Sequence, residues 1–183
     1  RSALSKALEL GKGVLHVLAV TMWFYAMARL PVAEVTAIGY LNPIVVTVGA
    51  ALVFGERLAA RRLAAIGVAL VGALVVLRPG LREVTQGHLS QLGAAFCFGL
   101  SYLIAKRLAA LVPAGALVGL LSLTVTAGLA PFALAVWVPP TWQHLAGLGV
   151  VAAFATLGHY TMARAFAAAP LPVTQPVTFL QLV

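Results

Sequence analysis

Aspartate is missing from this sequence altogether, and charged residues of every kind make up only 9% of it. Soluble domains carry about 25% charged residues, so a water-facing surface cannot be assembled from this composition. The acids are Glu9, Glu34, Glu56 and Glu83 alone. No paired aspartates are available for acid–base or metal chemistry, and no His-Glu-x-x-His helix occurs. The single Cys97 excludes a disulfide within the chain and any multi-cysteine metal site. No catalytic residue, metal ligand or cofactor is therefore expected. Strict alternation of polar and apolar residues is also lacking, which argues against a β-barrel.

Hydrophobic residues, in contrast, make up 62% of the 183 positions. They gather in long uncharged runs with the charges clustered between them, as a lipid solvent requires when a charge at the bilayer centre costs several kcal/mol. The reading is an all-α, polytopic membrane protein. A net charge of +8 could suggest a nucleic-acid partner. Its confinement to short segments between apolar runs points to cytoplasmic loops instead, with membrane lipid as the partner and no nucleic acid.

A bilayer core takes about 20 apolar residues per helix. Seven spans are expected, roughly 13–28, 35–54, 63–77, 89–105, 114–138, 145–163 and a last one over 171–183. The third is short and is expected to begin near Leu58, with Arg61 and Arg62 reaching back to the interface. Counting lysines and arginines in alternate connecting segments puts nine on one side and three on the other. The positive-inside rule places the nine in the cytoplasm, and with them residues 1–12. Short links such as Arg29–Glu34 make sequence neighbours antiparallel hairpins. Small residues at four-residue spacing (Ala65, Ala69, Ala73; Gly115, Gly119) suggest close helix contacts there.

The segment Phe24–Pro31 and the segment Ala163–Pro170 each end a span, keep an alanine and a large apolar residue in register, and reach a proline before the next span. Five crossings separate them. Being odd, that number puts the two copies in opposite orientations, the plan of an inverted repeat.

Residues Arg29–Val46 (RLPVAEVTAIGYLNPIVV), Gly55–Arg57 (GER), Leu77–Gly80 (LRPG) and Ala168–Val183 (AAPLPVTQPVTFLQLV) resemble the EamA-type transporters of the drug/metabolite transporter superfamily. The resemblance implies a bundle of two inverted five-helix repeats, ten helices in the whole fold, with both termini cytoplasmic. Seven helices would be present here. Residues 1–77 would close the first repeat (helices 3–5), 78–88 would link the repeats, and 89–183 would open the second (helices 6–9). It also implies a carrier in the cytoplasmic membrane of a bacterium, exporting an amino acid, another metabolite or a drug-like solute by alternating access. Coupling ion and oligomeric state stay open.

Pro43, near the middle of its span, lacks an amide N–H and frees the Gly39 carbonyl beside Asn42. The repeat offset pairs Asn42 with Gln181, Thr36 with Gln175 and Tyr40 with Phe179. Helical spacing sets Thr36, Tyr40, Pro43 and Thr47 on one stripe, and His16 and Trp23 on another. Candidate substrate-binding residues are accordingly Trp23, Thr36, Tyr40, Asn42, Tyr102, His159, Gln175 and Gln181. Each has a structural alternative. The amides could cross-link helices, Trp23 and Tyr25 could belong to an aromatic belt, and His16 and His159 could be solvated at the interface. With no buried charge expected, a charged substrate has no evident counter-charge. Other functions considered are a non-transporting subunit of a membrane complex and an intramembrane enzyme, for which Ser101 with His159 is the one conceivable pair.

Overall fold

The computed structural model describes residues 3–55, 60–77 and 83–174. Eight helices run in order, α1 (Ala3–Met27), α2 (Val32–Gly39), α3 (Asn42–Phe54), α4 (Ala60–Leu77), α5 (Gln86–Ala109), α6 (Ala114–Ala135), α7 (Trp142–Ala168) and α8 (Leu171–Thr174). No strand occurs among the described residues. Among the described residues, five helical segments are long and apolar enough to cross a membrane, counting α2 and α3 as one. The shorter α4 adds 18 residues, about 27 Å of helix. The expected seventh span falls largely outside the described residues, as do the side chains of Arg61 and Arg62.

Local chemistry explains the helix ends. Pro31 and Pro113 stand immediately before α2 and α6, where a fixed φ favours helix initiation. Thr141 accepts the amide of His144 at the start of α7 (3.3 Å). Gly55 ends α3 in the left-handed region, at φ 66°, a conformation that costs glycine little. Lys106 of α5 donates to the carbonyls of Phe166 (2.5 Å) and Ala169 (2.7 Å). It thereby satisfies acceptors that the end of α7 leaves open and adds charge of the favourable sign.

Two spans differ from expectation. The first helix starts at Ala3, not near Gly13, so Lys6 and Lys12 lie inside it rather than in a solvated segment. The second span is not one kinked helix. It breaks between Gly39 and Asn42, and Pro43 sits in the first turn of the new helix. Proline is tolerated there but not in a helix interior.

Helix α5 is the hub, packed against α1, α2, α3, α6 and α7. Direction follows from which residues meet. Ser101 bonds to Lys12 and Ser90 to Met22, so α1 and α5 are antiparallel. Gly49 meets Leu103 and Gly99 meets Val45, so α3 runs parallel to α5. Gly13 meets Thr124 and Gly128 meets Val17, so α6 runs parallel to α1. Tyr102 packs on Phe166 and Lys106 caps at Ala169, which sets α7 parallel to α5. This alternation is the one that the segment count demanded.

Glycine permits the close approaches, but not at the expected positions. Gly115 and Gly119 face open space, and Ala65 is exposed; the side chains of Ala69 and Ala73 lie outside the described residues. Gly13, Gly49, Gly93, Gly99 and Gly128 each sit under a larger side chain of the adjoining helix, and Gly87 lies against Leu30. Small-residue spacing identifies a smooth face, and the partner's shape decides which such face is used. Much of α4 and α7 is apolar and exposed, as on helices that meet lipid or further protein rather than water.

Candidate functional site

The break in the second span opens onto a cavity of about 620 Å³ between α1, α2, α3, α5 and α7. Trp23, Thr36, Tyr40, Asn42 and Tyr102 line it together. Those are five of the eight candidate residues, and they converge from four helices. Pro43 shares the wall with them. Since it carries no N–H, the Gly39 carbonyl one turn earlier has no helical donor. Thr47, on the same expected stripe, is buried but does not line the cavity. Gln175 and Gln181, and Phe179 with them, lie outside the described residues.

Gln91 is the wall residue that sequence reasoning missed. It is 3% exposed, and its Nε2 donates to the Val35 carbonyl of α2 at 2.9 Å. A carbonyl can only accept, so this bond fixes the amide orientation. The Oε1 is buried and has no donor among the described residues. A Cβ at Gly39 would stand 3.4 Å from Nε2, an ordinary contact distance. The signal available in the sequence was an amide in an apolar span, which is costly unless bonded. Near the start of α5, His88 contacts Glu34 at 3.2 Å. Its Nδ1 accepts the Thr85 amide N–H (3.1 Å), so the Nε2–H donates to the Glu34 carboxylate. Glu34 is thus tied across to α5 rather than serving only as an interfacial anchor. Two bonds from consecutive residues of α2 hold that half-helix against α5.

His159 is absent from this wall. It lines a second, much smaller pocket with Lys12, Tyr102, Met162 and Phe166. Tyr102 and Met162 border both spaces. His16, expected near the interface, is 5% exposed instead. Its ring stands 5.5 Å from that of His159 and 5.0 Å from that of Phe98. Ser101 is fully buried and donates to the Lys12 carbonyl (3.3 Å), which leaves its oxygen to accept from His16 Nδ1 (3.3 Å). Ser101 therefore pairs with His16, not His159. Tyr25, expected with Trp23 in a belt, donates to Gln86 Oε1 (2.9 Å) and lies under the Arg29 guanidinium. No metal-ligand cluster exists among the described residues.

Long apolar helices alternating in direction around a cavity with a few polar groups in its wall define a multi-pass, all-helical membrane protein. Residues 9–78 match the EamA-like transporter family. Relatives extend the similarity over nearly the whole chain. A riboflavin transporter of Rhizobium johnstonii is 30% identical over 177 residues, covering 95% of this chain and 58% of the relative. A riboflavin transporter of Vibrio cholerae is 28% identical over 167 residues, 88% of this chain and 55% of the relative. An S-adenosylmethionine uptake transporter of Rickettsia prowazekii is 25% identical over 175 residues, 94% and 58% respectively. The chain thus spans between 55% and 58% of the length of these relatives. No solved structure matches it.

Proposed function

We propose that this chain forms part of a carrier that moves a small organic metabolite across the membrane by alternating access, with the 620 Å³ cavity as its substrate site. The observation that carries the reading is the broken second span. Irregular backbone at membrane depth persists where it lines a cavity, and transporter sites lie at such breaks. Here the break coincides with Tyr40, Asn42 and the freed Gly39 carbonyl on one wall, and with the Gln91 amide on another. The volume falls in the range of small-molecule sites, about 300–1,000 Å³. Trp23, Phe98 and Tyr102 offer ring faces, which suits a flat organic solute of the kind named for the riboflavin transporters.

The inverted-repeat reading extends this proposal. The copies at 24–31 and 163–170 lie at the ends of α1 and α7, which run in opposite directions, and Pro31 and Pro170 each precede a helix directly. On that reading residues 1–77 and 89–183 belong to successive repeats, with Gln175 and Gln181 opposite Thr36 and Asn42. The cytoplasmic membrane of a bacterium is the proposed location, with residues 1–12 toward the cytoplasm. The Rickettsia relative is named for uptake and a Pseudomonas aeruginosa relative is named a pseudopaline exporter, so the assay must read both directions.

The hydrolytic alternative needs a reachable nucleophile and an oriented histidine. Ser101 is 0% exposed and its hydroxyl is engaged by a backbone carbonyl, which favours a packing role. The test is counterflow in proteoliposomes with the full-length protein, using riboflavin, S-adenosylmethionine and an amino-acid panel in both orientations. Accumulation of at least one solute, reduced by Asn42→Ala, is the expected result. A blank panel with correctly inserted protein would contradict the proposal.

A further inference from the structure

Lys12 is the most exceptional charge in the described chain. It lies three residues before the midpoint of α1, about 4.5 Å along the axis, and is 5% exposed. No carboxylate among the described residues lies within ion-pair distance of it, and its ammonium bonds to none of them. Lys106 offers the contrast, since two carbonyls at the end of α7 receive its ammonium. An ammonium without a carboxylate partner inside an apolar bundle is expensive, and such residues inside membranes mark functional pathways.

The surroundings of Lys12 are polar on the same level of the bundle. His159 lies four residues past the midpoint of α7, about 6 Å along its axis, and lines the small pocket with Lys12. His16, one turn on from Lys12, turns its ring edge toward that of His159. The remaining walls are apolar, including Leu117, Leu121 and Phe166, so a charge placed there is poorly screened. The space is about 20 Å³, enough for a group near the size of one water. Tyr102 and Met162 separate it from the main cavity.

We propose that this inner pocket is an anion subsite, in which the Lys12 ammonium, with His159 and Tyr102 beside it, receives one carboxylate oxygen of the transported metabolite. The rest of that solute occupies the larger cavity, so the proposal rests on the carrier reading. A carboxylate fits better than a phosphate. It is planar, carries a single charge for the single lysine, and needs the smaller volume. The metabolite class is therefore a small organic acid or amino acid whose carboxylate reaches past Tyr102 and Met162.

The test follows the thermal unfolding of the purified full-length protein in detergent, with sodium acetate as the probe and acetamide, chloride and phosphate at matched ionic strength as controls. Acetate should raise Tm by at least about 2 °C through mass action, and acetamide should not. In Lys12→Met the acetate response should vanish, while the Tm without acetate stays level or rises, because an uncompensated buried charge has been removed. In His159→Gln the response should shrink. Loss of several degrees in acetate-free Lys12→Met would mean that an acid elsewhere in the complete protein pairs with Lys12, and would overturn the proposal. So would an acetate response retained in Lys12→Met, an absent wild-type response, or an equal response to phosphate or chloride. Failure of the carrier reading shows separately, as blank counterflow with the acetate response intact.

Discussion

Gln91 of α5 donates its side-chain N–H to the Val35 carbonyl of α2 at 2.9 Å, while its Oε1 stays buried without a described donor on the cavity wall. One side chain thus ties α5 to α2 at a wall of the cavity, with its acceptor closed off from the cavity space. Gln91→Met keeps most of the volume and removes the tie. We expect a loss of stability of about 1 kcal/mol, the contribution of one buried hydrogen bond. Thermal unfolding checks it, and an unchanged Tm would show that the bond does not hold α2.

Gly99 and Gly115 should respond in opposite ways to alanine. A Cβ on Gly99 would stand 2.6 Å and 2.8 Å from side-chain atoms of Val45, so α3 must move away from α5. Overpacking of that kind costs about 1–3 kcal/mol. Gly115 has nothing within 4 Å, and alanine there should be neutral or stabilising through helix propensity. A Tm drop for Gly99→Ala and none for Gly115→Ala is the expected pattern.

Lys106→Met leaves the carbonyls of Phe166 and Ala169 without their charged donor. Bonds to charged groups contribute about 1.5–3 kcal/mol each, and the neighbouring end of α7 would fray. Hydrogen exchange should accelerate at the last turn of α7, with the first turn at Trp142 unchanged.

Glu34 and His88 have side-chain exposures of 17% and 8%, so their contact is shielded from solvent screening. A double-mutant cycle with Glu34→Gln and His88→Leu should give a coupling of about 1 kcal/mol in thermal stability. Additive effects would show that the Glu34–His88 contact does not help to hold α2 against α5.

The fold was largely legible because lipid imposes long apolar runs and confines charge to their ends. The alternating directions of α1, α3, α5, α6 and α7 follow the parity that lysine and arginine counts imply. The cavity was partly legible. A proline at Pro43 beside Asn42 signals freed backbone, and Trp23, Thr36, Tyr40 and Tyr102 are polar or aromatic residues that an apolar span would otherwise avoid. Gln91 was missed because its partner, the Val35 carbonyl, is a backbone group with no sequence signature. Lys12 was misread for a different reason. Near an apparent span boundary a lysine looks like a loop cation, and only the extent of α1 shows it to be inside. The burial of His16 depends likewise on Ser101 of a helix distant in sequence.

The most direct test of the central claim is the accessibility of position 42 from each side of the membrane. Cys97 is replaced by serine in the full-length protein, and Asn42→Cys is introduced. Membrane-impermeant thiol reagents are then applied to right-side-out and inside-out vesicles. Alternating access predicts labelling from both sides, slowed from both by a transported solute. A thiol at 42 that no aqueous reagent reaches from either side, in correctly folded protein, would contradict it.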